Sequence, residues 1–495
     1  MTARFRPLAA AALAGAVAVA AALRAWHIAD WPLWLDESWS RWQAEQGWHG
    51  LIDSTMRFDV HLPFYYSLLK LWLLVAPHSA AGMRLLSVLA GVAIVPLAWA
   101  AARQIPSLRT HPAMPLVAAG LAALSPPLLV AARQARPYAL FALAFAAALL
   151  IALRLARREE KGGGPGLWLG YGVAIELTLW LHNLGILFAG ALSLGLLAAF
   201  AATGRLRRRL VPFLLVHVAV GAAYLPGFLA ILAQRRTWTS TWLRFTPADI
   251  APGLTGGLAT AGLGGLLLFA LAIVGAAALL RNREGRPTAY ILLLGAFVPA
   301  AITIAASLVS APVFLPRTLV PSVLPLLLLA VAGIAAVQRE ALRAGLAAAA
   351  FLFVGLPSLA LAAAEPEEKW DALGAWLGAH VAPGEEVWLM PNELVLPLRY
   401  ANPRLRLPLR GMPADFPAPD HRGPRYSGTI AVPGMTAADA ARLTADARRR
   451  GIKGVWVVSR FPALFDPGAD LPRALGPADR GAEFVPLAVR HYALR

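Results

Sequence analysis

Leu62-Pro63-Phe64-Tyr65-Tyr66-Ser67-Leu68-Leu69-Lys70-Leu71-Trp72-Leu73-Leu74-Val75 decides how this chain is threaded. The stretch is apolar but only 14 residues long, whereas a helix needs about 20 residues to cross a bilayer. It reads as a helix lying along the membrane interface. One more crossing here would invert everything downstream, so the reading is tested by the charges that follow.

The rest of the chain supplies that test. Of 495 residues, 58% are hydrophobic and 15% charged, the mean hydropathy is +0.60, and the apolar residues fall in blocks of bilayer length. These figures do not fit a soluble protein; the chain reads as a polytopic membrane protein. Spans are read near 7–25, 83–103, 113–131, 137–155, 166–181, 184–202, 210–232, 257–280, 288–310, 318–337 and 343–363, about eleven in all. With the N-terminus inside and Leu62 to Val75 not crossing, every inner turn is basic. These turns carry Arg103 and Arg109; Arg154, Arg157, Arg158 and Lys161; Arg205 and Arg207 to Arg209; Arg281, Arg283 and Arg286; and Arg339 and Arg343.

The net charge of +18 sits mainly in these short clusters, which argues against nucleic acid as a partner. The absence of cysteine excludes disulfides and thiolate metal sites. Arg4 and Arg6 before the apolar run Leu8 to Leu23 fit a first membrane anchor better than a cleaved leader, because many further spans follow.

On this threading the first loop, 26–82, and the tail after Glu365 share the outer side. Residues 1–364 form the membrane domain and 365–495 a second one. In the tail, a helix-like run Trp370 to His380 precedes Pro383-Gly384 and a strand-like Val387 to Met390; a helix Ala437 to Arg450 leads into Val455 to Val458. This alternation predicts a small α/β domain.

The outer side also collects the polar residues with chemical potential. Trp34-Leu35-Asp36-Glu37-Ser38 places two adjacent carboxylates at a membrane exit, where a general base would meet one substrate from the lipid and another from water. Asp59 and His61 lie just before the interfacial helix, and Pro63 suits its first turn. A divalent metal is a candidate cofactor, with Asp36, Glu37, Asp59 and His61 as candidate ligands whose spacing fixes no geometry.

Arginines on this side run against the positive-inside tendency. Arg133 and Arg136 flank Gln134 at an outer helix junction before Tyr138; Arg317 follows Pro312-Val313-Phe314-Leu315-Pro316, and Arg235, Arg236 and Arg244 share another outer loop. A lipid-linked phosphate, which suits the forked guanidinium, would account for them. Arg84 opens the next span, His182 lies near an outer helix end, and Glu176 inside a span should face protein or water in a structural role.

Taken in order, Leu35-Asp36-Glu37, Asp59-x-His61-x-Pro63-x-Tyr65-Tyr66, Arg84-Leu85-Leu86-Ser87, Leu124-Ser125-Pro126 and Gln134-Ala135-Arg136-Pro137-Tyr138 resemble the polytopic glycosyltransferases of the GT-C class. The nearest branch looks like the bacterial relatives of protein O-mannosyltransferases, aminoarabinose transferases and rhizobial galacturonosyltransferases. The family pattern usually has a second proline where Leu62 stands and a glutamate where Ala135 stands.

The resemblance implies sugar transfer from a polyprenyl-phosphate donor, typically undecaprenyl phosphate, to a lipid, glycan or protein acceptor. The reaction would occur on the periplasmic face of a bacterial inner membrane, among its lipids. It implies Asp36 as the base with Glu37 beside it, and Arg84, Gln134, Arg136, Tyr138 and Arg317 on the donor phosphate. Asp59, His61 and His182 would shape the loop or meet the acceptor. A flippase or other transporter would be expected to carry its functional charges near the bilayer midplane instead, and a mere scaffold would leave the acidic loop and outer arginines unused.

Overall fold

The computed structural model describes residues 5–57, 59, 61–157, 164–234, 243–310, 312–365, 368–424 and 431–494. Arg4, Arg158, Lys161, Arg235 and Arg236 lie outside the described residues. Among those described, nine helices are long and apolar enough to cross a membrane, and ten if the bent pair Met114–Leu124 and Pro126–Ala132 counts as one. The expected span 166–181 is a helix of 17 residues, Pro165–Leu181. This is a multi-pass α-helical membrane protein with a small C-terminal sheet domain.

The deciding stretch forms a helix of ten residues, Pro63–Trp72, with Pro63 at its start. At 1.5 Å per residue that is about 15 Å, half the hydrocarbon thickness. It buries Tyr65, Tyr66 and Leu69 and packs on the helices Leu35–Glu45 and Trp48–Arg57.

The bent pair has an identifiable cause. Pro126 and Pro127 have no N–H, so the carbonyls of Ala122 and Ala123 lose their helical donors. Arg24, fully buried in the last turn of the first helix Phe5–Ala25, replaces them: its guanidinium donates to Ala122 O at 3.2 Å and Ala123 O at 2.8 Å. Ser358, on the last long helix Glu340–Ala363, donates to Leu124 O. The two halves meet at 51°.

Elsewhere the bundle closes on small residues, as apolar helices in a membrane do. A Cβ on Gly275 would lie 2.0 Å from Leu329 O, and one on Gly333 would lie 2.0 Å from Leu271 O. The helices Leu263–Arg281 and Val323–Ala335 therefore touch backbone to backbone.

The tail folds around a five-stranded sheet of order β2-β1-β3-β5-β4, where β1 is Glu385–Met390, β2 Leu409–Gly411, β3 Gly454–Arg460, β4 Arg480–Phe484 and β5 Leu487–Ala493. β1 runs parallel to β2 and β3; β5 runs antiparallel to β3 and β4. Trp370, Trp388 and Trp456 fill its core. The helices Trp370–His380 and Ala437–Arg449 and strands β1 and β3 fall where the sequence predicts them. The short β2 and the β4–β5 hairpin carry no comparable apolar run.

This domain docks on the acidic helix Leu35–Glu45. Leu35 N donates to Glu368 Oε2 at 3.0 Å, Tyr400 donates its hydroxyl to Glu45 at 2.8 Å, and Phe416 packs edge-on against Trp39 and Trp42. The packing places the end of β3 beside the helix that carries Asp36.

Candidate functional site

The helix ends and the tail enclose a cavity of about 780 Å³. Its membrane-side wall includes Asp36, His61, Arg136, Tyr138, His182 and Arg317; its tail-side wall includes Glu368, Glu393, Arg460 and Phe461.

Asp36 and Glu37 are adjacent, and successive helical residues point about 100° apart, so they meet different surroundings. Glu37 is fully buried. Arg84 grips it at 2.8 Å through Nε and 2.6 Å through Nη2, and the backbone N–H groups of Ala135 and Trp34 donate to it at 2.8 and 3.3 Å. Arg84 gives its remaining N–H groups to the carbonyls of Ile28, Trp31 and Pro32, so all five of its donors are committed. Asp36 instead faces the cavity, 3.4 Å from Arg317 Nη2. The Arg317 guanidinium sits 5.8 Å from the Trp34 ring and 5.9 Å from the Tyr138 ring.

Arg136 reaches Asp36 O at 3.1 Å, Ser40 Oγ at 3.3 Å and His61 Nε2 at 2.9 Å. Because a guanidinium only donates, His61 Nε2 accepts and its proton resides on Nδ1. His182 is the mirror case: its Nδ1 accepts from Leu184 N at 3.1 Å, which leaves the proton on Nε2. Burial, then the charges of Arg136 and Arg317, push His182 down to about 3, and burial with Arg136, His182 and Arg317 holds His61 well below the usual histidine range. Both rings are neutral. Stacking on Phe141 fixes the plane of His182.

Three buried N–H donors here, Arg136 Nε, His61 Nδ1 and His182 Nε2, have no hydrogen-bond partner among the described residues. Such groups cost free energy unless an acceptor arrives. The Gln134 side chain shares the same wall. The arrangement suits an anion bearing several acceptor oxygens.

Other sequence candidates are committed to structure. The Asp59 carboxylate accepts from Trp39 Nε1 at 2.8 Å, Gln43 Nε2 at 2.9 Å and His61 N at 3.1 Å. It thus ties the acidic helix to the loop before the helix Pro63–Trp72. Arg133 donates to Leu361 O and Trp26 O, joining the last and first long helices. Glu176 accepts from Trp180 one turn on, and Arg244 is exposed. Asp36, Glu37, Asp59 and His61 are not gathered around one point; among the described residues no group of three or more His, Cys, Asp or Glu side chains is arranged to hold a metal ion.

Sequence reading missed Glu368, Glu393, Arg460 and Phe461. They lie more than 300 residues from Asp36, in stretches without a local chemical motif, and only tertiary docking reveals them. Arg24 did have a signal, a lone cation at the end of an apolar span.

No family model matches the sequence, and no curated protein matches it. Solved structures do match. ArnT from Cupriavidus metallidurans in the apo state superposes with a TM-score of 0.63 at 14% identity, over 100% of this chain and 99% of that one. The same protein bound to undecaprenyl phosphate gives 0.59 at 16% identity, again over 100% and 99%. The Archaeoglobus fulgidus oligosaccharyltransferase tethered with an acceptor peptide containing the NVT sequon gives 0.54 at 13% identity, over 94% and 72%. The chain has the fold of the GT-C polytopic glycosyltransferases.

Proposed function

We propose that this protein transfers a sugar from a polyprenyl phosphate, undecaprenyl phosphate in a bacterium, to a hydroxyl-bearing acceptor at the outer face of the inner membrane. Residues 1–364 form the transferase domain, and residues 365–495 are periplasmic beside the first loop, 26–82. The observation that carries the reading is the juxtaposition, in one cavity, of the cavity-facing carboxylate Asp36 with a set of buried, unsatisfied N–H donors. A neighbour of the same fold that binds undecaprenyl phosphate supports it.

The chemistry follows from charge. Arg136, Arg317, Gln134 and the neutral N–H groups of His61 and His182 bind the lipid phosphate, with Tyr138 and Trp34 flanking Arg317. The acceptor oxygen attacks the anomeric carbon, its proton passes to Asp36, and the bond from that carbon to the phosphate oxygen breaks. The departing phosphate gains charge where the donors are already aimed, which favours the transition state over the ground state. Glu37 and Arg84 hold the helix in register and touch neither substrate.

The test is a mass-spectrometric comparison of envelope lipids, glycans and proteins from cells with the gene, without it, and complemented by wild type or Asp36→Asn. A sugar absent from the deletion should return with wild type and stay absent with the Asn form, whose transfer should be at least about 100-fold slower. An unchanged sugar inventory in the deletion, or full complementation by Asp36→Asn, overturns the proposal.

A further inference from the structure

The tail-side wall differs in chemistry from the membrane-side wall. Glu368 is committed: it accepts from Leu35 N at 3.0 Å and Trp370 Nε1 at 2.8 Å, and it pairs with Arg460 at 2.7 Å. That pair largely neutralises Arg460. Glu393, in the single turn Asn392–Leu394 after β1, lines the same cavity, and its carboxyl makes no hydrogen bond or ion pair with any described residue. Next to Arg460, Phe461 is held at φ 50°, in the left-handed region. A bulky residue rarely adopts that conformation, and such strain concentrates at functional sites. The residue is 45% exposed and lines the cavity, with the Arg460 guanidinium 4.8 Å from its ring centre.

We propose that Glu393 and Phe461 form the acceptor half of the site and take a neutral, polyhydroxylated head group such as a sugar ring. The inference rests on the glycosyl-transfer reading and names its acceptor class. A carboxyl oxygen accepts from hydroxyls and a protonated carboxyl also donates, while an aromatic face covers the apolar C–H face of a pyranose. An anionic head group would find no unbalanced cation on the tail-side wall, because Arg460 is paired with Glu368 at 2.7 Å. A cationic one would find little charge, because Arg460 balances Glu368 and burial pushes the Glu393 carboxyl up to about 8, with Asp36 and Glu368 adding to that shift and Arg460 opposing it. Glu393 positions the acceptor; the transferred proton goes to Asp36.

Two probes separate this proposal from the reading it rests on. Binding of undecaprenyl phosphate and of neutral methyl hexosides to the full-length protein in detergent is measured for wild type, Glu393→Ala, Glu393→Gln and Phe461→Ala. Wild type should bind a methyl hexoside in the millimolar range, the two Ala variants about tenfold more weakly, and the Gln variant close to wild type. Undecaprenyl phosphate affinity should be the same in all four. Equal hexoside binding by wild type and Glu393→Ala overturns the proposal, as does wild-type preference for phosphorylated or aminated hexosides. Failure of wild type to bind undecaprenyl phosphate would instead count against the donor reading.

Discussion

Glu37 and Arg84, 47 residues apart, close a two-pronged ion pair at 2.8 and 2.6 Å, with both side chains buried. The adjacent Asp36 stays open to the cavity, 26% exposed at its side chain. Two carboxylates that look equivalent in sequence thereby meet opposite surroundings.

Breaking one side of the pair leaves a buried charge alone, at a cost of about 3–5 kcal/mol. Glu37→Gln should therefore lower the thermal midpoint in detergent far more than Asp36→Asn does. A Glu37→Gln protein as stable as wild type would show that the pair is not what holds the acidic helix.

For the donor, Arg136→Ala and Arg317→Ala should each weaken undecaprenyl phosphate binding at least about tenfold, since a hydrogen bond to a charged group is worth about 1.5–3 kcal/mol. Lysine at either position should recover only part of that, because an ammonium cannot present the fork. Equilibrium binding with the purified variants decides this, and unchanged affinity in both alanine forms would remove the phosphate from this wall.

A pH effect follows from His182. Its folded pKa of about 3 lies below the ordinary 6.5, so the unfolded chain takes up a proton before the folded one does. The stability tied to the neutral ring is fully present above about 6.5 and is lost progressively as pH falls toward 3. His182→Asn should flatten the fall in thermal midpoint between pH 7.5 and 5; an unchanged slope would mean that other groups set it.

What the sequence made legible was mostly local. The short helix Pro63–Trp72 could be read from the length of its apolar run, and the helix Trp370–His380 from its apolar spacing before Pro383-Gly384. Asp36 stood out because a carboxylate at a membrane exit is unusual. The different surroundings of Asp36 and Glu37 were not legible, because they are set by Arg84 and by the Ala135 N–H, both brought in by tertiary packing. The same holds for Arg84, which looks like a free cation in sequence and has all its donors filled in the fold. β4 and β5 escaped because the partner strand, not an apolar run, defines them: β5 alternates Val489 and His491 inward with Arg490 between.

The bond from Leu35 N to Glu368 also imposes an order in time. The helix bearing Asp36 leaves the ribosome early, yet the carboxylate at its first turn is encoded 333 residues later. Until the polypeptide has grown past that point, the growing chain holds the Asp36 carboxylate on a helix whose start is unsecured and whose cavity has one wall. The tail-side wall arrives last, so the cavity is completed only after the helical bundle has been synthesised.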